Sequence, residues 1–166
     1  MFDSLLPWCA HIAGTAIAGG DAPRSASQRS LGGAGFYQVY ATSDGRHIVL
    51  GGREMKFVRN LLTALDREDL IPLGEADAGP AQAPLIAFLR GTFASRSRDE
   101  WIAWFEDKDV AFSPVLDFAE AMASEHVAQR GLLVEAGGMH QIAPAIRFKS
   151  QPLWQPADAP RLGKTP

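Results

Sequence analysis

The sequence predicts an α+β fold, with β-hairpins set apart from a block of helices. Three observations carry this. Phe36 to Gly52 reads as a β-hairpin, with "FYQVYAT" and "RHIVLGG" on either side of an Asp-Gly turn. From Glu54 the apolar residues recur at helical spacing, and helical segments follow one another with no strand between them. A second hairpin, "LLVEAGGMHQIAP", comes only near the end. Helices gathered between strands favour α+β over strict alternation.

Each element has its own local reason. Ser4 to Ala18 is an apolar helix that Gly19 and Gly20 stop. The next stretch, up to Gly35, is a loop rich in Gly, Ser and Ala that carries Arg24 and Arg29. The hairpin strands are aromatic and β-branched, and Asp44-Gly45 favours the positive φ of a tight turn. After it, Met55, Val58, Leu61, Leu62 and Leu65 make one stripe, while Lys56, Arg59 and Thr63 face elsewhere. "EADAGPAQAP" breaks the chain before a second helix carrying Leu85, Ile86, Leu89 and Phe93. "SRDEW" is a capping box from Ser97 to Glu100, opening a helix with Trp101, Trp104 and Phe105 on one side. "VAFSPVL" is a short strand that Pro114 confines to an edge or a bulge. "DFAE" repeats the cap from Asp117 to Glu120 for a short helix, and Gly137-Gly138 turns the last hairpin. Pro144 to Pro166 holds five prolines and reads as extended.

Composition narrows the classes of function. A chain of 166 residues suits one domain with tails. A net charge of −3 argues against wholesale nucleic-acid or anionic-membrane binding. The apolar opening has no Lys or Arg before Arg24, so it lacks the positive start of a secretory signal, and it is too short to span a bilayer. The single cysteine, Cys9, excludes an internal disulfide and a cysteine metal site, and a cytoplasmic location fits.

No nucleophile elbow, P-loop or dinucleotide fingerprint occurs. His11, His47, His126 and His140 lack ligand spacing, so no metal is expected. Three features stay open on local grounds. "LGGAGF" is a flexible loop entering a strand, or a cover that brings backbone amides to an anion or acyl group. Arg24, Arg29, Arg46, Arg53, Lys56 and Arg59 form a solvated face or the surroundings of a phosphate-bearing ligand. In "GGREMKF", Glu54 is a carboxylate at a helix start, where the macrodipole favours it, or a base aimed at a substrate.

Linked motifs run in one order: "GGAGFYQVYATSDGRHIVLGGREMKF", "SRDEWIAWFEDKDVAFSPVLDFAEAMASEHVAQRGLLVE", "QIAPAIRFKSQP" and "APRLG". Together they resemble the C-terminal half of the family III CoA-transferases, the CaiB/BaiF family, closest in pattern to its 2-methylacyl-CoA racemase branch. The resemblance implies the small α+β domain of that fold at 36–143, a helix and linker at 1–35, and a proline-rich returning linker at 144–166. It implies that the Rossmann-like large domain, with its catalytic aspartate and histidine, is absent from this stretch. The expected substrate is acyl-CoA or CoA, with no bound cofactor. The expected partner is a large-domain polypeptide, or a second copy in a homodimer. Activity is then expected only when a large domain is supplied, and the alternative is a non-catalytic remnant or partner-binding module of the same fold. Glu54 falls where racemase-like members carry a glutamate of the active-site neighbourhood, with Met55 in place of the usual proline. Gly32, Gly33 and Gly35 fall on the family's glycine-rich loop, which lies over the substrate.

Overall fold

The computed structural model describes residues 2–144 and 146–150. Most of the proline-rich stretch, with its "APRLG" motif, lies outside the described residues. The chain divides into two units, Met1–Val115 and Leu116–Pro166.

The first unit opens with α1 (Phe2–Leu5), a 3-10 turn over Leu6–Cys9, and α2 (Ala10–Ile17). One helix is expected here. Pro7 has no amide to donate, and the α-helical ladder gives way to 3-10 geometry around it. None of these residues is buried.

β1 (Gln38–Ala41) and β2 (His47–Leu50) form the expected antiparallel hairpin, and Gly45 takes φ +75° at its turn. β3 (Phe112–Pro114) pairs antiparallel with β2, which places Pro114 on an edge strand as anticipated. The register puts Tyr40, Ile48 and Pro114 in one row and Gln38, Leu50 and Phe112 in another. Both rows face inward, since Tyr40, Ile48 and Leu50 are buried. Val39, Val49 and Ser113 make the row between them, on the opposite face.

Four helices follow β2 and share one core with the inner face. α3 (Met55–Ala64) buries Val58, Leu61 and Leu62, the stripe read from the sequence. α4 (Ile71–Glu75) is an addition to the helices read from the sequence. Pro72 fits the first turn, where its missing amide costs nothing. Gly74 fits because a Cβ there would stand 2.5 Å from Val58 Cγ1. α5 (Ala83–Phe93) buries Leu85, Leu89 and Phe93, and α6 (Arg98–Phe105) buries Trp101 and Phe105. The Ser97 capping box is formed in full. The rings of Tyr40, Phe93, Trp101, Phe105 and Phe112 pack in succession, and Trp101 Nε1 donates to the Phe93 carbonyl at 2.9 Å. Each such buried side chain contributes about 1.5–3 kcal/mol of transfer free energy.

In the second unit the Asp117 capping box starts α7 (Phe118–Met122), and Ser124 caps a separate α8 (Glu125–Gln129). β4 (Leu133–Ala136) and β5 (Met139–Ile142) make the last hairpin, turned by Gly137 and Gly138 at φ +59° and +74°. Among the described residues no helix is long and apolar enough to cross a membrane.

Candidate functional site

The corner between β2 and α3 holds the "GGRE" sequence. Gly51 donates its amide to the Ala111 carbonyl at 2.9 Å, carrying the β2–β3 pairing one step further. Gly52 is buried where no side chain fits: a Cβ would stand 2.6 Å from Phe57 Cδ2 and 2.7 Å from Ala111 Cβ. Gly52 therefore lets the chain pass between the Phe57 ring and Ala111 before it turns, whereas a Cβ on Gly51 would meet open space.

Glu54 is the residue preceding α3, at φ −57° and ψ 130°. Its carbonyl accepts from Phe57 N at 2.9 Å, so its backbone opens the helix. Its carboxylate makes no capping hydrogen bond and is exposed. Arg53 donates instead to the Ala76 carbonyl at 3.2 Å, and Lys56 pairs with Asp109 at 3.2 Å. That ion pair is solvent-exposed and contributes little. The extended conformation of Glu54 is the one a following proline favours. The corner therefore keeps that geometry with Met55 in the next position.

The three loop glycines serve different ends. Gly32 takes φ +85° after the 3-10 turn Arg29–Leu31, and a Cβ there would meet open space. Gly33 donates to Gln28 O at 2.9 Å and accepts from Gly79 N at 2.8 Å. A Cβ on it would fall 2.8 Å from the Gln28 carbonyl oxygen. Gly35 donates to Gln82 Oε1 at 2.9 Å, and its carbonyl accepts from Tyr40 Oη at 2.7 Å. Burial pushes the Tyr40 phenol well above its ordinary value, with Arg90 opposing, so the hydroxyl keeps its proton and donates. The amides of Gly33 and Gly35 are thus spent inside the protein, and neither is turned outward toward an anion.

Between this loop and the outer sheet face lies a groove of about 600 Å³, lined by Ser30, Gly32, Tyr37, Gln38, Val39, Val49, Leu50 and Gly51. The fold thereby brings Gly32 and Gly51 to one cavity, while Gly33, Gly35 and Glu54 are not among its lining residues. The Arg29 guanidinium stands 5.5 Å over the Tyr37 ring, which sets one cation beside the groove. Sequence reasoning passed over Ser30, Tyr37 and Gln82. Tyr37 reads as a strand residue, and Gln82 has no local signal because its Gly35 partner is 47 positions away. Among the described residues no three His, Cys, Asp or Glu side chains gather in a way that could hold a metal ion.

The antiparallel sheet and the helices packed on one core define an α+β domain. Residues 1–165 match the CoA-transferase family III profile, and the chain belongs to that family. It is 30% identical over 137 residues to the mouse alpha-methylacyl-CoA racemase, a match covering 81% of this chain and 32% of the mouse protein. It is 31% identical over 116 residues to the human alpha-methylacyl-CoA racemase, covering 69% of this chain and 29% of that protein. A CAIB/BAIF family protein from Brucella suis shares the fold, with a TM-score of 0.71 at 22% identity over 97% of this chain and 43% of its own. The chain spans about a third of the length of the curated relatives it matches.

Proposed function

We propose that this chain supplies one side of a proton-transfer site for acyl-CoA thioesters, with Glu54 as its acid–base group. The observation that carries the reading is the Glu54 carboxylate, exposed and uncapped at the start of α3, in a chain about 30% identical to two alpha-methylacyl-CoA racemases. A thioester acidifies the proton on its α-carbon. Glu54 takes that proton and becomes a carboxylic acid, and an acid on the opposite face returns a proton with inversion. The enolate-like intermediate needs donors at the thioester oxygen. The Gly33 and Gly35 amides are committed elsewhere, so those donors and the second acid come from residues of a large domain outside this chain.

The test is loss of the α-proton of a 2-methylacyl-CoA in D₂O, followed by NMR. The chain alone is expected to give none. Adding a polypeptide that spans the rest of a full-length relative is expected to start the exchange, and Glu54→Gln to slow it about 10²-fold or more. Exchange that proceeds equally well with Glu54→Gln sinks the assignment.

A second reading is a non-catalytic module that binds a partner, a large-domain polypeptide or a second copy. It is favoured by the exposed apolar residues of the opening segment, Phe2, Leu5, Leu6 and Trp8. Tight association with the added polypeptide and no proton exchange would select it.

A further inference from the structure

The segment 76–82 reads in the sequence as a break between helices, yet in the structure it is where the parts of the candidate site meet. Gly79 N donates to the Gly33 carbonyl at 2.8 Å. Gln82, 1% exposed, accepts from Gly35 N at 2.9 Å through Oε1 and donates from Nε2 to the Ala76 carbonyl at 2.7 Å. That same carbonyl receives Arg53 Nη2 at 3.2 Å, and Arg53 is bonded directly to Glu54 in the chain. A run of hydrogen bonds therefore leads from the glycine loop through Gln82 and Ala76 to the corner that presents Glu54.

We infer that Gln82 is a positioning residue that sets the glycine loop and the Arg53–Glu54 corner relative to each other. The inference rests on reading both as parts of one site. An apolar side chain of similar size would fill the space without the cost of burying an amide. What the amide adds is direction: it fixes where the Gly35 N–H and the Ala76 carbonyl must stand. Removing it leaves the Gly35 amide buried without its acceptor and the Ala76 carbonyl with Arg53 as its remaining side-chain donor.

The test uses the whole ¹⁵N-labelled chain, reading amide exchange and chemical shifts. In Gln82→Met the Gly35 amide is expected to exchange about tenfold faster, over and above any change at Leu61 and Leu89, and the Arg53 and Glu54 amides to shift. In Gln82→Glu the introduced carboxylate still accepts from Gly35 but donates to Ala76 only when protonated. The Gly35 amide should then stay protected, while the Arg53 and Glu54 shifts follow the carboxylate's titration back toward wild type at low pH. Gly35 exchange that rises only in step with Leu61 and Leu89 overturns the inference, as do Arg53 and Glu54 amides that move in neither variant. If Gln82→Met does not fold, Arg53→Met decides: the Gln82 side-chain amide resonance must shift, and no shift refutes the link. None of these readouts needs acyl-CoA, so a failure of the proton-transfer reading shows up separately, as absent exchange at the substrate.

Discussion

Replacing Gly52 by alanine tests how the corner before Glu54 is built. The added methyl would stand 2.6 Å from Phe57 Cδ2, 2.9 Å from Phe57 Cε2 and 2.7 Å from Ala111 Cβ, whereas ordinary contact begins at 3.4 Å. The Phe57 ring can swing away, but Ala111 Cβ moves only with its backbone. That backbone is tied to Gly51 by the 2.9 Å hydrogen bond. Overpacking of this kind costs about 1–3 kcal/mol. The smaller entropy of an unfolded alanine returns about 0.4–1 kcal/mol, since Gly52 does not occupy positive φ. The net expectation is a loss of about 1–2 kcal/mol in urea unfolding of the whole chain. Ala111→Gly removes the immovable clash, so the two changes should couple favourably by about 0.5 kcal/mol or more in a double-mutant cycle. If Gly52→Ala is as stable as wild type, or if the two changes simply add, the close-approach argument is wrong.

Three further outcomes follow from local geometry. Asp66 ends α3 at φ +54°, with its amide bonded to Thr63 O at 3.0 Å and Arg67 N to Leu62 O at 2.8 Å, the pattern in which glycine is preferred. Asp66→Gly should therefore raise stability by about 0.5 kcal/mol and Asp66→Val lower it by about 1 kcal/mol, both read by thermal melting. The Thr42 hydroxyl, helped by the backbone amides of Arg98 and Arg46, holds the Asp44 carboxyl below its ordinary value of 3.8. A depressed folded value stabilises above the unfolded pKa, and that stability goes as pH falls through the folded one. Asp44→Asn should accordingly be less stable than wild type at neutral pH, with the gap closing in acid; a gap independent of pH counts against it. Met55→Pro should fold and stay within about 1 kcal/mol of wild type in urea, because Glu54 already holds the extended conformation a proline requires. A larger loss would mean that Met55's packing against the core outweighs the geometry.

Much of the local structure was legible because its causes lie within a few residues. The Asp44-Gly45 and Gly137-Gly138 turns, the Ser97 and Asp117 capping boxes and the Val58–Leu61–Leu62 stripe follow from φ preference, short-range hydrogen bonds and helical period. The family, too, was legible, since it rests on the order of motifs along the chain. What the sequence alone determined about Glu54 was its identity and its place at the start of a helix. The tertiary structure decided the rest. Whether its carboxylate caps the helix or stays free is settled by side-chain geometry. Which loop glycines face a groove is settled by contacts with Gln28, Leu85 and Gln82, and the last two lie about fifty positions away. The 76–82 segment looked like a gap because glycine and proline break regular structure. Its role emerges only when folding brings Gly33, Gly35 and Arg53 to its backbone and to Gln82, and no local rule of sequence encodes such distant partners.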